Sequence, residues 1–310
     1  MTDTIRPDAI DPQAAPTEVV TVPPPRPAWR TTWRRFRRQK VAMAAAIVIV
    51  VITLAGILAG QLAPHGIDEM TSEFMATFSK HHWLGTDNTG FDLYSRLLFG
   101  IRTSLYASLL AVVLALVGGT LLGLLSGYMG GWVDTVLMRC TDAIMALPGL
   151  LMAMAVVGVL GHSVTHAMIG LSVAFMPGFA RLVRGQVLAV KGESFVEAAR
   201  VIGAGPPRII RKHILPNIAS PLIVQAFVSV GFALLAEGAL AYIGLSVQPG
   251  EASLGSLLQQ GFNLINQTPR LMLVPGVVIV LLSLSFNAVA DGIRDALANK
   301  ERVADVGAQA

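Results

Sequence analysis

Charged residues and cysteines are scarce in this sequence. Asp, Glu, Lys and Arg make up 14% of the 310 residues, whereas apolar residues make up 54%, and the mean hydropathy is +0.63. This balance excludes an ordinary soluble domain, in which about 25% of the residues are charged. The single cysteine, Cys140, excludes a framework of intramolecular disulfides.

Motifs of enzyme active sites are also absent from the sequence. There is no G-x-x-x-x-G-K-[ST] run, so the chain lacks a phosphate-binding loop of its own. No H-E-x-x-H motif is present and no Ser/His/Asp arrangement is indicated. His65, His81 and His82 come without a supporting pattern of cysteines or carboxylates, so the sequence favours no metal site there. We therefore predict a non-catalytic chain with no catalytic residues, metal or cofactor of its own.

Long apolar runs are what the sequence has in quantity. About 20 helical residues cross the hydrocarbon layer of a bilayer. Four runs of this size contain no charged residue: 41–62, 103–127, 143–161 and 271–290. Two less clean runs cover 163–180 and 214–244, and the second contains Glu237. The sequence therefore predicts an all-α membrane protein with six transmembrane helices.

The basic residues lie mostly on one side of these predicted spans. They cluster at 26–40, at 181–212 and after the last run, at Arg294, Lys300 and Arg302. By the positive-inside rule, both termini and the segment between the fourth and fifth spans are cytoplasmic. A cleaved signal peptide is disfavoured, because the first apolar run is longer than the roughly 7–15 residues of a signal peptide and no A-x-A site follows.

The N-terminal region combines prolines with a basic, aromatic stretch. Residues 1–28 are rich in proline and poor in large apolar residues, which predicts disorder. Trp29, Trp33 and Phe36 then share one helical face among arginines. This pattern predicts an amphipathic elbow helix on anionic lipid. A nucleic-acid patch is disfavoured because a membrane span begins at Val41.

A polar segment, residues 192–216, separates the fourth and fifth spans. Ser194 and Glu197 match a capping box, which predicts a helix beginning at Ser194. Gly203 is a C-terminal stop signal, and Pro207 suits the first turn of a second helix. Two short helices fused to the fifth span could transmit force from a soluble partner. The alternative is an ordinary cytoplasmic loop.

Four further features concern the spans and their packing. Gly119, Gly123 and Gly127 recur every four residues, which either allows close helix approach or reflects the frequency of glycine in membrane helices. Pro148 predicts a bend in the third span. Arg139 and Asp142 are spaced for an ion pair. Glu237 is either a translocation-path or proton-relay residue, or a buried glutamate that fixes packing.

Three motifs carry a resemblance to a known family. The polar segment contains Glu197-Ala198-Ala199, then Gly203, and ends in Leu215-Pro216. Residues 84–97 read LGTDNTGFDLYSRL, and residues 291–297 read DGIRDAL. This combination resembles the permeases of bacterial ABC importers of the dipeptide/oligopeptide/nickel family, of the type with a short external segment. His213, Phe91 and Ala298-Asn299 depart from the family pattern, so the resemblance is a weaker guide to the substrate than to the family.

The resemblance implies a function and a set of partners. The chain would be one permease of an ATP-driven importer in the bacterial inner membrane, with type I importer architecture. Its partners would be a second, non-identical permease, two ATPase subunits or domains that bind ATP and Mg²⁺, and an external substrate-binding protein, with lipid around it and no nucleic acid. The residues implied to couple to the ATPases are Glu193, Phe195, Glu197, Ala198, Ala199, Arg200, Gly203 and Ala204.

The expected cargo is a dipeptide or oligopeptide, with nickel, glutathione or another small solute as alternatives. From a different class, a proton-coupled secondary carrier would use Glu237, but no clear repeat is visible. The predicted organisation is a disordered cytoplasmic tail with the elbow helix (1–40), the first transmembrane helix and external segment (41–101), a five-helix core with its coupling loop (102–291), and a cytoplasmic tail (292–310).

Overall fold

The computed structural model describes residues 28–248 and 250–308, and these residues are almost entirely helical. The only β-pairing among them is two isolated bridges, Met70 with Phe91 and Thr86 with Asp92. The helices are α1 Ala28–Phe36, α2 Lys40–Ile57, α3 Ala59–Leu62, α4 Leu93–Met129, α5 Gly131–Met145, α6 Gly149–Leu160, α7 Val164–Lys191, α8 Ser194–Val201, α9 Pro206–Ile209, α10 Leu215–Tyr242, α11 Leu254–Asn263 and α12 Arg270–Ala308.

Five spans are long and apolar enough to cross a bilayer. They are α2, α4, α7, the stretch Pro206–Tyr242, and Arg270–Leu297. A bent pair, α5 and α6, makes a sixth if it is counted as one span. The predicted all-α membrane fold is therefore confirmed.

The third span differs from the single helix predicted over 143–161. The bend expected at Pro148 is present, but it is a break: α5 and α6 meet at 88°, and α6 has only 12 residues. Proline lacks the N–H that a helix needs and disfavours helical geometry in the residue before it. Most of the length of this span therefore comes from α5, which begins before the apolar run.

Close packing of α4 against α7 forms the centre of the fold. A Cβ added at Gly119 would lie 2.5 Å from the Phe179 Cβ, and one added at Gly123 would lie 2.5 Å from the Ala180 carbonyl oxygen. A Cβ added at Gly127 would likewise lie 2.8 Å from the Val187 Cβ. The glycine spacing therefore marks a real helix contact, because no larger side chain fits between the two backbones.

Acidic residues on α5 pair with arginines on α7. The Arg184 guanidinium donates to both carboxylate oxygens of Asp134, at 2.5 and 2.6 Å. Asp142 accepts from Arg181 at 2.6 Å. The structure thus pairs Asp142 with the neighbouring helix, where the sequence spacing had suggested Arg139. These pairs fix α5 to the end of α7.

The predicted elbow helix is present as α1. Phe36 is buried against Ala42, Val289 and Ala296, and Trp33 stacks on Phe36 with ring centroids 5.8 Å apart. The predicted disorder of the preceding residues lies outside the described part of the chain. The proposed boundaries at 101/102 and 291/292 fall inside α4 and α12, so neither coincides with a helix end.

Candidate functional site

The polar segment folds into a short helix, α8, that begins at Ser194 as predicted. The capping-box prediction is wrong, because Ser194 is the first helical residue. Glu193 occupies the N-cap position without a side-chain cap. The Glu193 carbonyl accepts hydrogen bonds from the backbone N–H groups of Val196 (2.9 Å) and Glu197 (3.2 Å). The motif spacing thus located the helix but misassigned its cap by one residue.

The end of α8 has the geometry of a Schellman motif. The Ala204 N–H donates to the Ala199 carbonyl, and the Gly203 N–H donates to the Arg200 carbonyl, both at 2.9 Å. Gly203 has φ +85°, a backbone conformation that costs other residues about 1–2 kcal/mol. Gly203 is therefore the stop signal that the sequence predicted.

The second helix of the polar segment is continuous with the fifth span. Pro206 and Pro207 open α9, where their missing N–H groups cost nothing. A π-helical turn, Ile210–Ile214, then leads directly into α10. The helical path from Pro206 to Tyr242 is 37 residues long. The short helix α8 is thus attached to a continuous helical stretch that is long enough to cross a bilayer.

The predicted coupling residues lie on different faces of α8 and its cap. Ala199 is buried with Val196 against the rest of the chain, and Ala204 is half-buried. The remaining predicted residues are all exposed: Glu193, Phe195, Glu197, Ala198, Arg200 and Gly203. One face of α8 therefore packs inward, while the other presents charged and apolar groups to the outside.

Two exposed residues at the tip of α8 were missed by the sequence analysis. Val201 is 87% exposed and Ile202 is 85% exposed. Phe195 is 41% exposed and lies near the His213 ring, with centroids 6.2 Å apart. Adjacent branched apolar residues directly before a helix-stopping glycine were the available signal. Together with Phe195 they give this polar segment an apolar tip that the chain itself does not cover.

Glu237 lies at the opposite end of α10 and is fully buried. Its Oε2 accepts a hydrogen bond from the Ser104 hydroxyl of α4 at 2.8 Å, and Ser246 approaches its Oε1 at 3.5 Å. The Ser104 oxygen in turn accepts from the Leu254 N–H at 3.0 Å. The carboxylate thus joins α4, α10 and the start of α11, as a packing role requires.

The three histidines between α3 and α4 separate in the structure. His81 is exposed, whereas the rings of His65 and His82 stack with centroids 4.9 Å apart. Asp92 joins them, which the sequence analysis did not foresee. The fold of the segment between α3 and α4 brings these residues together.

Two family models match the chain. Residues 119–303 match the binding-protein-dependent transport system inner membrane component. Residues 28–80 match the N-terminal transmembrane domain of oligopeptide transport permease C. Together they cover the elbow helix, the first span and the region from the last third of α4 into α12.

Curated relatives match over nearly their whole length. The glutathione transport system permease protein GsiD of Shigella flexneri serotype 5b is 39% identical over 274 residues, which is 88% of this chain and 90% of that protein. GsiD of Salmonella typhimurium gives the same values. GsiD of Escherichia coli O157:H7 is 38% identical over the same length.

A solved structure shares the fold. A chain in the inward-facing structure of the MetNI methionine ABC transporter, from a selenomethionine-soaked crystal, superposes with a TM-score of 0.55 at 19% identity. The match covers 65% of this chain and 96% of that one. The matched family models, the relatives and the helical membrane fold lead to one conclusion: the chain belongs to the inner-membrane permeases of ABC importers, in the peptide/oligopeptide family.

Proposed function

We propose that this permease docks its ATPase through the polar segment and imports small peptides. Permeases of this family are non-catalytic, and they work with ATPase subunits and a substrate-binding protein. The proposal assigns the ATPase contact to the exposed face of α8 and its apolar tip.

The observation that carries this proposal is the exposure of Val201 and Ile202 beside Glu197, on a short helix that is fused to a span. Removing apolar surface from water contributes about 25 cal/mol per Å², so a partner that covers both side chains gains binding energy there. Exposed charges around them, on Glu193, Glu197 and Arg200, suit a polar rim that fixes the orientation of docking.

The connection from α8 to α10 supports a role in transmitting movement. The Schellman bonds fix the backbone at Gly203 and Ala204 at the end of α8, and the helical path begins two residues later at Pro206 and continues without a loop to Tyr242. A partner that moves the tip therefore also tilts the fifth span. At the far end of that span, Glu237 ties α10 to α4 and α11, so the movement reaches the neighbouring helices.

The remaining assignments complete the proposed complex. Both termini and the polar segment face the cytoplasm, in keeping with the distribution of Lys and Arg. The partners are a second, non-identical permease and two ATPase subunits or domains, which bind ATP and Mg²⁺. The exposed Arg34, Arg37 and Arg38 of the elbow region contact anionic lipid headgroups.

Peptide-sized cargo is supported by the relatives, whose names specify glutathione, itself a tripeptide. Nickel or another small solute is the second choice, and no comparison favours it. A proton-coupled carrier that uses Glu237 is disfavoured, because that carboxylate is fully buried and hydrogen-bonded within the chain.

The test is a Glu197→Arg variant in the complete importer. Uptake of labelled glutathione or a labelled dipeptide into cells should fall at least about ten-fold, because the reversed charge faces the docking partner. The amount of variant in the membrane should remain normal, since Glu197 is exposed. Glu69→Arg, the same change at an exposed site in the external segment, is the matched control and should leave uptake unchanged.

A second measurement separates the two classes of transporter. Uptake by the unchanged importer should stop when ATP is depleted and persist when the proton gradient alone is dissipated. Persistent uptake in Glu197→Arg, with loss of uptake on dissipating the gradient, would overturn the proposal. Cross-linking from Ala198→Cys, in a Cys140→Ser background, should capture an ATPase subunit.

A further inference from the structure

We propose that His65, His82 and Asp92 form a binding site for a divalent transition metal, with Zn²⁺ as the best match. One nitrogen from each histidine and one carboxylate oxygen lie within 4.8 Å of one another. The three residues come from three separate parts of the external segment: the stretch after α3, the loop before α4, and the N-cap of α4. The proposal is independent of how the polar segment couples to its partner.

The hydrogen-bonding state of His65 is the first argument. Its Nδ1 atom is buried, yet it has no hydrogen-bond partner among the described residues. Leaving a buried polar atom unpaired costs about 1–3 kcal/mol, so such atoms in native proteins usually have an explanation. A metal ion bound to this nitrogen would provide the missing partner.

The different partners of the two carboxylate oxygens of Asp92 are the second argument. Its Oδ2 accepts from both the backbone N–H and the hydroxyl of Ser95, each at 2.8 Å, and so caps α4. Its Oδ1 is directed elsewhere and lies 2.9 Å from the Nδ1 of His82. Capping therefore leaves Oδ1 free of the helix, and a metal ion would replace its hydrogen bond to the His82 nitrogen by binding both atoms.

The surroundings of His82 are the third argument. The residue is 3% exposed, and Asp92 is 1% exposed, so the ligand atoms are shielded from bulk water. The Nε2 of His82 lies 3.9 Å from an oxygen of Glu73. Metal-binding histidines commonly direct their second ring nitrogen to a carboxylate, which orients the ring and increases its basicity. Glu73 lies just beyond hydrogen-bonding distance of this nitrogen, and its exposed side chain can move closer to take that supporting role.

This donor set selects among metals. Two imidazoles and one carboxylate are ligands for Zn²⁺, and three protein ligands with an open fourth position are familiar for this ion. Zinc–ligand distances are about 2.0–2.2 Å, so ligand atoms that now lie up to 4.8 Å apart must move closer, and the 2.9 Å contact between the His82 Nδ1 and the Asp92 Oδ1 must open to admit the ion. The bound ion would fasten the external segment to the first turn of α4.

The experiment measures Zn²⁺ binding to the full-length chain in detergent, without a histidine tag and in a Cys140→Ser background. After treatment with a chelator, the protein is titrated with ZnCl₂ by calorimetry, and the retained metal is determined by mass spectrometry. We expect one Zn²⁺ per chain, with affinity lowered at least about 100-fold in His65→Ala and His82→Ala, and about 10-fold in Glu73→Gln.

Matched variants guard against misfolding and adventitious binding. His81→Ala removes an exposed histidine next to the site and should bind Zn²⁺ normally. Asp92→Asn keeps a capping side chain and should still fold while losing affinity. Co²⁺ bound in place of Zn²⁺ should give the visible absorption of a low-symmetry four-coordinate ion, and His82→Ala should abolish it. The proposal is overturned if the parent chain retains no stoichiometric Zn²⁺, or if His81→Ala weakens binding as much as His82→Ala. Either result would mean that His82 and Asp92 form a hydrogen bond without a metal ion.

Discussion

The contact between α4 and α7 and the tip of the polar segment use glycine for opposite reasons. At Gly123 the backbone is ordinary helix and space is the constraint, because the Ala180 carbonyl oxygen lies 2.5 Å from where a Cβ would be. At Gly203 space is free, with nothing within 4 Å, and the backbone conformation is the constraint. In the first region the glycines allow two helices to pack closely, whereas in the second the glycine ends a helix whose tip is exposed.

This difference predicts which region controls stability and which controls coupling. Changes at the α4–α7 contact should unfold the permease, whereas changes at the tip of α8 should leave it folded and inactive. Four variants test the contrast, and they follow in order of their expected effect on the free energy of unfolding.

Gly123→Leu should have the largest effect. Its side chain would collide with the α7 backbone and with Val183, and overpacking of this kind costs about 3 kcal/mol or more when backbone must move. Thermal unfolding in detergent should show a strongly lowered midpoint, or no folded protein at all. Gly185→Leu, on the exposed side of α7 with nothing within 4 Å, is the control. Equal stability of the two variants would contradict the close contact.

Glu237→Leu should come next. It leaves the Ser104 hydroxyl without its acceptor in a buried site, at a cost of about 1–3 kcal/mol. Glu237→Gln keeps an oxygen in place and should be milder, with uptake retained. If Glu237→Gln is as stable as the parent and yet abolishes uptake, the residue acts in the translocation path and the packing interpretation is wrong.

Gly203→Ala should have a smaller, local effect. The methyl group meets no neighbour, so the cost of about 1–2 kcal/mol comes from the positive φ alone. Uptake should fall because the cap of α8 is disturbed, and hydrogen exchange should quicken at Ala204 but not in α4. Gly205→Ala is matched, since its site is equally open and its φ is −71°. Similar losses in both variants would argue against the left-handed conformation.

The double variant Val201→Ser and Ile202→Ser should barely change stability. Both side chains are almost fully exposed, so the unfolding free energy should stay within about 0.5 kcal/mol of the parent. Uptake should nevertheless fall at least about ten-fold. Val201→Ile with Ile202→Val keeps the tip apolar and should transport normally. Full uptake by the serine variant would show that the tip is not covered by a partner.

Much of the fold was readable from the sequence, because membrane spans are coded locally. Runs such as 103–127 and 271–290 need only length and the absence of charge to be recognised. The third span escaped this rule, because Pro148 divides it and α5 contains charged residues that pair with α7. The course of such a segment depends on its contacts with neighbouring helices, and the hydropathy of the segment itself does not reveal these contacts.

The candidate site was partly readable for a similar reason. Gly203 could be predicted, since a helix stop depends on neighbouring residues alone. The exposure of Val201 and Ile202 was missed although their position directly before Gly203 was a signal, because apolar residues close to a membrane are usually expected to be buried. The contact of Asp92 with His65 and His82 depends on how the whole segment between α3 and α4 folds, and no spacing in the sequence predicts it.

The π-helical turn at Ile210–Ile214 gives the junction between α9 and α10 a particular angular setting. A π turn accommodates one residue more than an α turn, and each residue of an α-helix corresponds to about 100° of rotation. Deleting a single residue there would restore regular α-helical geometry and rotate α8 to a different side of α10. The extra residue of this π turn therefore sets the direction in which the exposed face of α8 points relative to the membrane-spanning part of α10.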